Sequence, residues 1–181
     1  MTCSPKSRPR VLGIDPGIDR TGWAVVEMDG RSDPSLLCAG LIHTPAADAL
    51  PLRLENVFKE VRAIIAAHKP GEMAIEGMFF AKRSASVAAT VQARGVILLA
   101  GQLEKLPITV YDPRRVKMTL TGNGAAEKPQ MQRMIQLLLK LKKPLQPDDV
   151  ADAAAIAVCH GKSAPYNALV RAAARQAVKI K

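Results

Sequence analysis

The sequence predicts an α/β fold in which helices flank a mixed five-stranded sheet. Short apolar runs that end in an acid or a turn dipeptide are typical of buried strands. Longer segments, in which apolar residues recur with helical spacing, are typical of helices that pack on a sheet. Three strands come first and helices then alternate with strands, which is the order of an antiparallel meander continued by crossovers.

The first three strands are predicted between residues 11 and 44. The first is the apolar run 11–14, which ends in Asp15 and is followed by the turn dipeptide Pro16-Gly17. The second covers residues 21–28 and is followed by a turn at Asp29-Gly30, and the third covers residues 36–44. Their short connections predict an antiparallel meander.

Helices and strands alternate after Pro51. Helical spacing from Leu52 to Ile65 ends at Lys69-Pro70-Gly71, and residues 72–76 then form a compact strand. A long helix rich in small and apolar residues is predicted over 84–105, and the fifth strand over 108–111. Helical composition continues with an apolar stripe, formed by Met131, Ile135, Leu138, Leu139 and Leu141.

The last predicted helix begins near Asp148. It carries the small-residue run 151–158, which would let a helix lie close against a sheet. With this helix, the order of elements is that of an RNase H-like fold.

The length of 181 residues fits one domain with a hydrophobic core, which we place at residues 10–161. A polar and basic extension, residues 1–9, precedes it. A basic tail, residues 162–181, follows it and is expected to be a marginal helix or a disordered arm.

A formal net charge of +10 indicates a polyanionic partner, either nucleic acid or an acidic membrane. No stretch of about 18 uninterrupted apolar residues is present, so no membrane span is expected. The three cysteines, Cys3, Cys38 and Cys159, match the spacing of neither a disulfide framework nor a zinc site. A reduced, cytoplasmic protein is therefore expected.

Four acids stand where an acid is costly to bury. Asp15 and Glu76 each end an apolar strand, and Asp149 and Asp152 lie at the start of the alanine-rich helix. Strand ends that face the first turns of a helix could bring all four side chains together. Asp149 and Asp152 share a helix face, but Asp148 also qualifies on spacing, with a favourable charge at the helix start as its alternative role.

Such a cluster repels itself unless protons or a cation neutralise it, and a hard divalent cation is the ligand that carboxylates prefer. Mg²⁺ fits best, with Mn²⁺ as the alternative. Two ions about 3.5–4 Å apart could activate water on one side of a phosphodiester and stabilise the leaving oxygen on the other. The acids thus predict a nuclease, whereas turn formation and a solvated helix start are their structural alternatives.

Several motifs together resemble the RuvC-type Holliday junction resolvases. They are Gly13-Ile14-Asp15-Pro16-Gly17 with Thr21-Gly22, Ala74-Ile75-Glu76, Gln92-Ala93-Arg94-Gly95-Val96, Ala126-Glu127-Lys128 and Asp149-Val150-Ala151-Asp152-Ala153. The resemblance extends from Val11 to His160. It implies a homodimer that holds a four-way DNA junction and nicks two strands symmetrically during recombination and repair. It also implies the branch-migration proteins RuvA and RuvB as partners.

The resemblance assigns roles to individual residues. It identifies Asp15, Glu76, Asp149 and Asp152 as metal-binding carboxylates and favours Asp149 over Asp148. The family pattern implies phosphate contacts or charge stabilisation by Lys117 and Lys128. It also matches Phe79, which would stack on bases opened at the crossover, and leaves open whether Phe80 shares that role. Arg83, Arg114 and Arg115 are further candidates for DNA binding, as backbone contacts that the family pattern does not assign.

The resemblance also implies that the predicted helix 84–105 supplies part of the dimer interface, with ordinary core packing as its alternative. Three other functions remain open. A YqgF-type nuclease that trims RNA shares the opening motif but usually lacks the Gln-Ala-Arg-Gly helix. An ATP-binding sugar-kinase or actin-like fold needs two domains, for which this chain is short. A non-catalytic junction-binding protein would gain nothing from four acids that repel phosphate.

Overall fold

A computed structural model describes residues 8–28, 34–77 and 85–178, with the backbone alone for residues 85–86 and 164–178. Within these ranges the sheet has five strands: β1 (Arg10–Asp15), β2 (Arg20–Met28), β3 (Pro34–His43), β4 (Glu72–Glu76) and β5 (Ile108–Tyr111). They lie in the order β3-β2-β1-β4-β5. The first three pair antiparallel, whereas β1, β4 and β5 are parallel. The predicted mixed sheet is confirmed.

Among the described residues, five helices flank this sheet: α1 (Leu50–His68), α2 (Ala85–Leu103), α3 (Pro113–Thr121), α4 (Lys128–Leu138) and α5 (Asp148–Val178). The sequence did not resolve α3 as a separate helix. Its N-cap is Asp112, whose side chain accepts hydrogen bonds from the backbone amides of Arg114 and Arg115. Gly122, in the left-handed conformation, ends it.

Two boundaries differ from the prediction. Helix α4 ends at Leu138, before the predicted stripe residue Leu141, because Lys140 adopts a left-handed conformation that terminates the helix. Helix α5 continues through residue 161 to Val178, so the predicted border between domain and tail falls inside a helix. Residues 1–7 of the predicted N-terminal extension lie outside the described residues.

The two faces of the sheet carry different cores. Large side chains of β1 and β4, such as Leu12, Ile14 and Ile75, pack with α1 and α2 on one face. Small residues of the other face, such as Ala24 and Ala74, pack against the alanines of α5, with α3 and α4 beside it. No helix in the described part of the chain is both long and apolar enough to cross a membrane.

Two glycines let α5 approach the sheet closely. A Cβ atom on Gly13 would overlap the Ala153 carbonyl oxygen, and one on Gly22 would overlap the Asp149 carbonyl oxygen. Any larger residue at either position would push the helix away from the strands. The first turns of α5 are thereby held directly over β1 and β2.

A buried polar contact fixes the sheet against α5 further along the helix. His160 is 1% exposed, and its Nε2 lies 2.7 Å from Glu72 Oε2 at the start of β4. Its Nδ1 lies 3.0 Å from the hydroxyl of Tyr111, which is fully buried at the end of β5. Because buried polar groups are costly unless they are hydrogen-bonded, this contact favours one position of α5 along the sheet.

Gly13→Ala tests the close approach of α5. We expect it to lower the free energy of unfolding by about 1–3 kcal/mol, because the added methyl group has no space beneath the helix. Gly71→Ala is the matched control, since a Cβ atom there would meet the Arg10 carbonyl oxygen at an ordinary 3.8 Å. Urea unfolding measures both, and equal losses in the two variants would contradict the packing argument.

Candidate active site

The sheet brings Asp15 and Glu76 to the same edge. They are the last residues of the parallel neighbours β1 and β4, whose register pairs Ile14 with Ile75 just before them. Since alternate residues of a strand face the same side, Asp15 shares the α5 face with Gly13. Asp152, in the second turn of α5, faces the same region.

A cavity of about 370 Å³ lies where these acids meet. Its lining joins three of the four predicted carboxylates to both predicted lysines and to apolar residues of α3, α4 and α5: Asp15, Glu76, Asp152, Lys117, Lys128, Pro113, Val116, Met131, Ala155 and Ile156. One cleft thus combines acids from β1, β4 and α5 with lysines from α3 and α4.

The acids of this cavity resist ionisation. Burial, followed by the charges of Glu76 and Asp152, raises the pKa of Asp15 from 3.8 to about 8. Protonated Asp15 donates a hydrogen bond to the Glu76 carboxylate, although burial still raises the pKa of Glu76. Burial also raises the pKa of Asp152, against the opposing effect of Lys128. Protons or a cation must therefore neutralise the site.

Asp149 pairs with Arg20 and does not line the cavity. Its Oδ2 accepts a hydrogen bond of 2.9 Å from Arg20 Nε and a second one from Arg20 Nη2. Within the described residues, no three acids, histidines or cysteines converge closely enough to form a ready-made metal site. Sequence reasoning missed Arg20, which is separated from Asp149 by 129 positions.

Asp148 occupies a different environment from the cavity acids. Its Oδ2 lies 3.4 Å from Lys128 Nζ, and its side chain is 49% exposed. Its own backbone amide and Lys128 lower the pKa of Asp148. This agrees with the alternative role considered for it, a favourable charge at the helix start.

The remaining candidates fall into two groups. Arg114 and Arg115 lie in the first turn of α3, beside the cavity, and the Arg115 guanidinium lies 5.3 Å from the centre of the Tyr111 ring. Phe79, Phe80 and Arg83 lie outside the described residues.

Arg94 was not predicted as a site residue, although its motif was noted. Its Nε donates a hydrogen bond of 3.2 Å to the Glu76 carbonyl oxygen, which fixes the end of β4. Its position as a single arginine within an apolar helix could have marked Arg94 as a candidate.

The donor set fits a hard divalent cation. Carboxylate oxygens are the ligands that Mg²⁺ and Mn²⁺ prefer, and a cation would offset the repulsion that raises the pKa of Asp15. The neighbouring lysines suit phosphate oxygens, which carry negative charge. The cavity can therefore bring a phosphodiester and divalent cations together.

Comparisons with known proteins agree with this chemistry. Residues 11–160 match the family model described as "Crossover junction endodeoxyribonuclease RuvC". The chain belongs to the RuvC family. It is 44% identical to the RuvC of Endomicrobium trichonymphae over 87% of this chain and 83% of that protein. It is 46% identical to the RuvC of Petrotoga mobilis over 83% of this chain and 92% of that protein.

Solved structures show the same relationship. Thermus thermophilus RuvC is 30% identical, with a TM-score of 0.81 over 87% of this chain and 96% of that one. The same protein in complex with a Holliday junction substrate superposes with a TM-score of 0.80, at 28% identity and the same coverage. The yeast mitochondrial resolvase Ydc2, at 15% identity and a TM-score of 0.62, shares the fold.

Family membership confirms the predicted activity. The protein is a Holliday junction resolvase, a crossover junction endodeoxyribonuclease of a family that needs a divalent metal. The RNase H-like fold that the sequence predicted is confirmed as well.

The raised pKa of Asp15 predicts how stability depends on pH in EDTA. The folded protein holds this proton up to about pH 8, whereas the unfolded chain releases it near pH 3.8. The free energy of unfolding should therefore fall as the pH rises through this window. Asp15→Asn cannot ionise, so we expect a shallower fall and greater stability than wild type at the upper end.

Thermal unfolding across that pH range measures the difference. In the matched control, saturating Mg²⁺ replaces EDTA and should stabilise the wild type more than Asp15→Asn, because the ionised acid binds the cation. Parallel pH curves for the two proteins in EDTA would contradict the burial argument.

Proposed function

We propose that Asp15, Glu76, Asp149 and Asp152 hold two Mg²⁺ ions and that Lys117 and Lys128 contact the scissile phosphate of a four-way DNA junction. The observation that carries this proposal is the shared cavity of Asp15, Glu76, Asp152 and the two lysines. A relative of similar fold, Thermus thermophilus RuvC, has been solved in complex with a Holliday junction substrate.

The ions, when bound, would lower the pKa of an attacking water and stabilise the leaving oxygen. The protein's part begins with the proton that Asp15 shares with Glu76, which must leave before both carboxylates can act as ligands. Lys117 on α3 and Lys128 at the start of α4 then place positive charge on the cavity wall, where phosphate oxygens would lie.

In the rest of the proposed DNA surface, the family pattern assigns Phe79 alone. Phe79 is proposed to stack on bases at the crossover, with Phe80 as its neighbour and Arg83 as a backbone contact. Arg114 and Arg115 are proposed to contact backbone phosphates, which their place in the first turn of α3 supports, because Pro113 and Lys117 of the same helix line the cavity.

Symmetric nicking requires two active sites, so the protein is proposed to act as a homodimer. Helix α2 supports this, since Val91, Leu99 and Leu103 are exposed on it, with Leu99 53% and Leu103 55% accessible. Cytoplasmic location, Mn²⁺ as an alternative cation and the partners RuvA and RuvB are proposed with the function.

Asp15→Asn tests the site directly. It should abolish cleavage of a labelled four-way junction in Mg²⁺ or Mn²⁺ and retain junction binding, because a metal ligand is lost while repulsion of DNA decreases. Asp148→Asn is the matched control and should keep cutting, since that acid is exposed and lies outside the cavity.

Single-turnover cleavage and gel shift, with linear duplex, single-stranded RNA and EDTA as further lanes, measure these outcomes. Turnover by Asp15→Asn at the wild-type rate would refute the site assignment. Cleavage of RNA without junction cleavage would point to the RNA-trimming alternative.

Phe79→Ala tests base stacking. We expect cleavage about tenfold slower with junction binding retained, because each stacked base contributes about 1–3 kcal/mol. Phe80→Ala, measured in the same single-turnover assay, shows whether the neighbouring ring shares the role. An unchanged rate for Phe79→Ala would assign that ring to core packing instead.

A further inference from the structure

The pair formed by Arg20 and Asp149 joins a proposed metal ligand to an exposed cation. Two nitrogens of one guanidinium, Nε and Nη2, donate to the same oxygen, Asp149 Oδ2. The Arg20 side chain is 47% exposed and that of Asp149 is 25% exposed. Arginine is always protonated in proteins, so the guanidinium is charged. A phosphate can therefore reach the Arg20 guanidinium, which is already paired with the Asp149 carboxylate.

The backbones on both sides of this pair are fixed. Thr21 Oγ1 donates a hydrogen bond of 2.6 Å to the Gly17 carbonyl oxygen, which closes the loop between Asp15 and Arg20. On the other side, Gly22 packs directly against the backbone of Asp149. The backbone therefore constrains both residues, and side-chain rotation is the change available to either one.

Asp149 is also the proposed ligand that does not line the cavity. Asp149 and Asp152 stand three apart on α5, so they share a helix face, yet Asp152 lines the cavity and Asp149 contacts Arg20. Rotation of Asp149 toward the other acids requires that the two hydrogen bonds to Arg20 break. A competing anion at Arg20 would make that rotation less costly.

We propose that Arg20 is a positioning residue that holds Asp149 away from the metal ligands until a DNA phosphate takes its guanidinium. We call the Arg20–Asp149 pair the Arg20 latch. A guanidinium binds phosphate through the same planar pair of donors with which it binds carboxylate, so one anion can replace the other. This inference rests on the proposed function, since it takes Asp149 to be a metal ligand.

The latch couples the two ligands of the enzyme. A phosphate on Arg20 frees Asp149 to bind a cation, and a cation that binds Asp149 frees Arg20 to bind a phosphate. By thermodynamic linkage, DNA and metal must then raise each other's affinity by the same factor. The acid cluster would be complete only on a bound junction.

Mn²⁺ titration of the DNA-free protein by calorimetry tests the latch. Arg20→Gln should bind Mn²⁺ about fivefold more tightly than wild type, or better, because Asp149 is released. Arg62→Gln is the matched control, since it removes an exposed arginine that pairs with Glu104 away from the cavity, and should bind Mn²⁺ as wild type does. Equal affinities for Arg20→Gln and wild type would overturn the latch.

Loss of a positive charge near the acids could by itself favour a cation, so the gain must also depend on Asp149. In an Asp149→Asn background, Arg20→Gln should leave Mn²⁺ affinity unchanged. The same gain with and without Asp149 would show a general electrostatic effect and overturn the proposal. Arg20→Lys keeps the charge but loses the paired donors, and should bind Mn²⁺ more tightly than wild type.

The phosphate half of the latch has its own measurement. Junction affinity in EDTA, followed against salt concentration, should show a slope reduced by about one in Arg20→Gln, because one phosphate contact is lost. An unchanged slope would overturn the phosphate exchange. Asp15→Asn separates the two proposals. If Asp15→Asn binds Mn²⁺ like wild type, the proposed metal site is wrong. If Asp15→Asn fails to bind Mn²⁺ while Arg20→Gln binds it with wild-type affinity, the metal site stands and the latch alone is refuted.

Discussion

Helix α5 packs on the sheet through glycine and alanine, and this contact sets the position of the acids that face it. Gly13 and Gly22 leave no space for a Cβ atom beneath the helix backbone, so the first turns of α5 lie directly over β1 and β2. Asp15 ends β1 two residues after Gly13, and Asp149 lies over Gly22. The same close packing that buries the alanines of α5 therefore brings carboxylates from the strands and the helix within reach of one cavity. The close approach of the α5 backbone to β1 and β2 is therefore a precondition for bringing these carboxylates together.

Close packing also creates an electrostatic problem. Asp15, Glu76 and Asp152 lose water as α5 docks, and burial is the largest cause of the raised pKa of each. Folding in the absence of a cation is therefore most favourable when Asp15 keeps its proton. The contact of His160 with Glu72 and Tyr111, elsewhere along α5, contributes buried hydrogen bonds that help to hold the helix in place. A site that repels itself can persist because the surrounding packing fixes its backbone.

Much of this arrangement could be predicted from the sequence, since an acid at the end of an apolar strand is a local signal. That signal identified Asp15 and Glu76, and helical spacing put Asp152 on one face with Asp149. The structure shows Asp15, Glu76 and Asp152 in one cavity. The pairing of Asp149 with Arg20 could not be predicted, because it joins positions 129 apart through side-chain geometry alone. Helix α3 was missed as a separate element because its nine residues give too short a periodic signal, and its cap residue Asp112 had no assigned role. The length of α5 was left open between a marginal helix and a disordered arm, because the end of the chain is weakly amphipathic.

The three acids at the start of α5, Asp148, Asp149 and Asp152, differ in the groups that balance their charge. Asp148 contacts Lys128 of α4, and Asp149 contacts Arg20 of β2, so cations from two other elements meet the acids of the first turn. These contacts lie near the positive end of the helix dipole, which also favours acids there. Asp152, one turn further along, lines the cavity, and burial raises its pKa despite the charge of Lys128. At the proposed metal site, a cation would therefore meet Asp152 with Asp15 and Glu76, whereas Asp149 is paired with Arg20. The order in which the proposed ligands would become available is thus set by which strand or helix supplies each counter-charge.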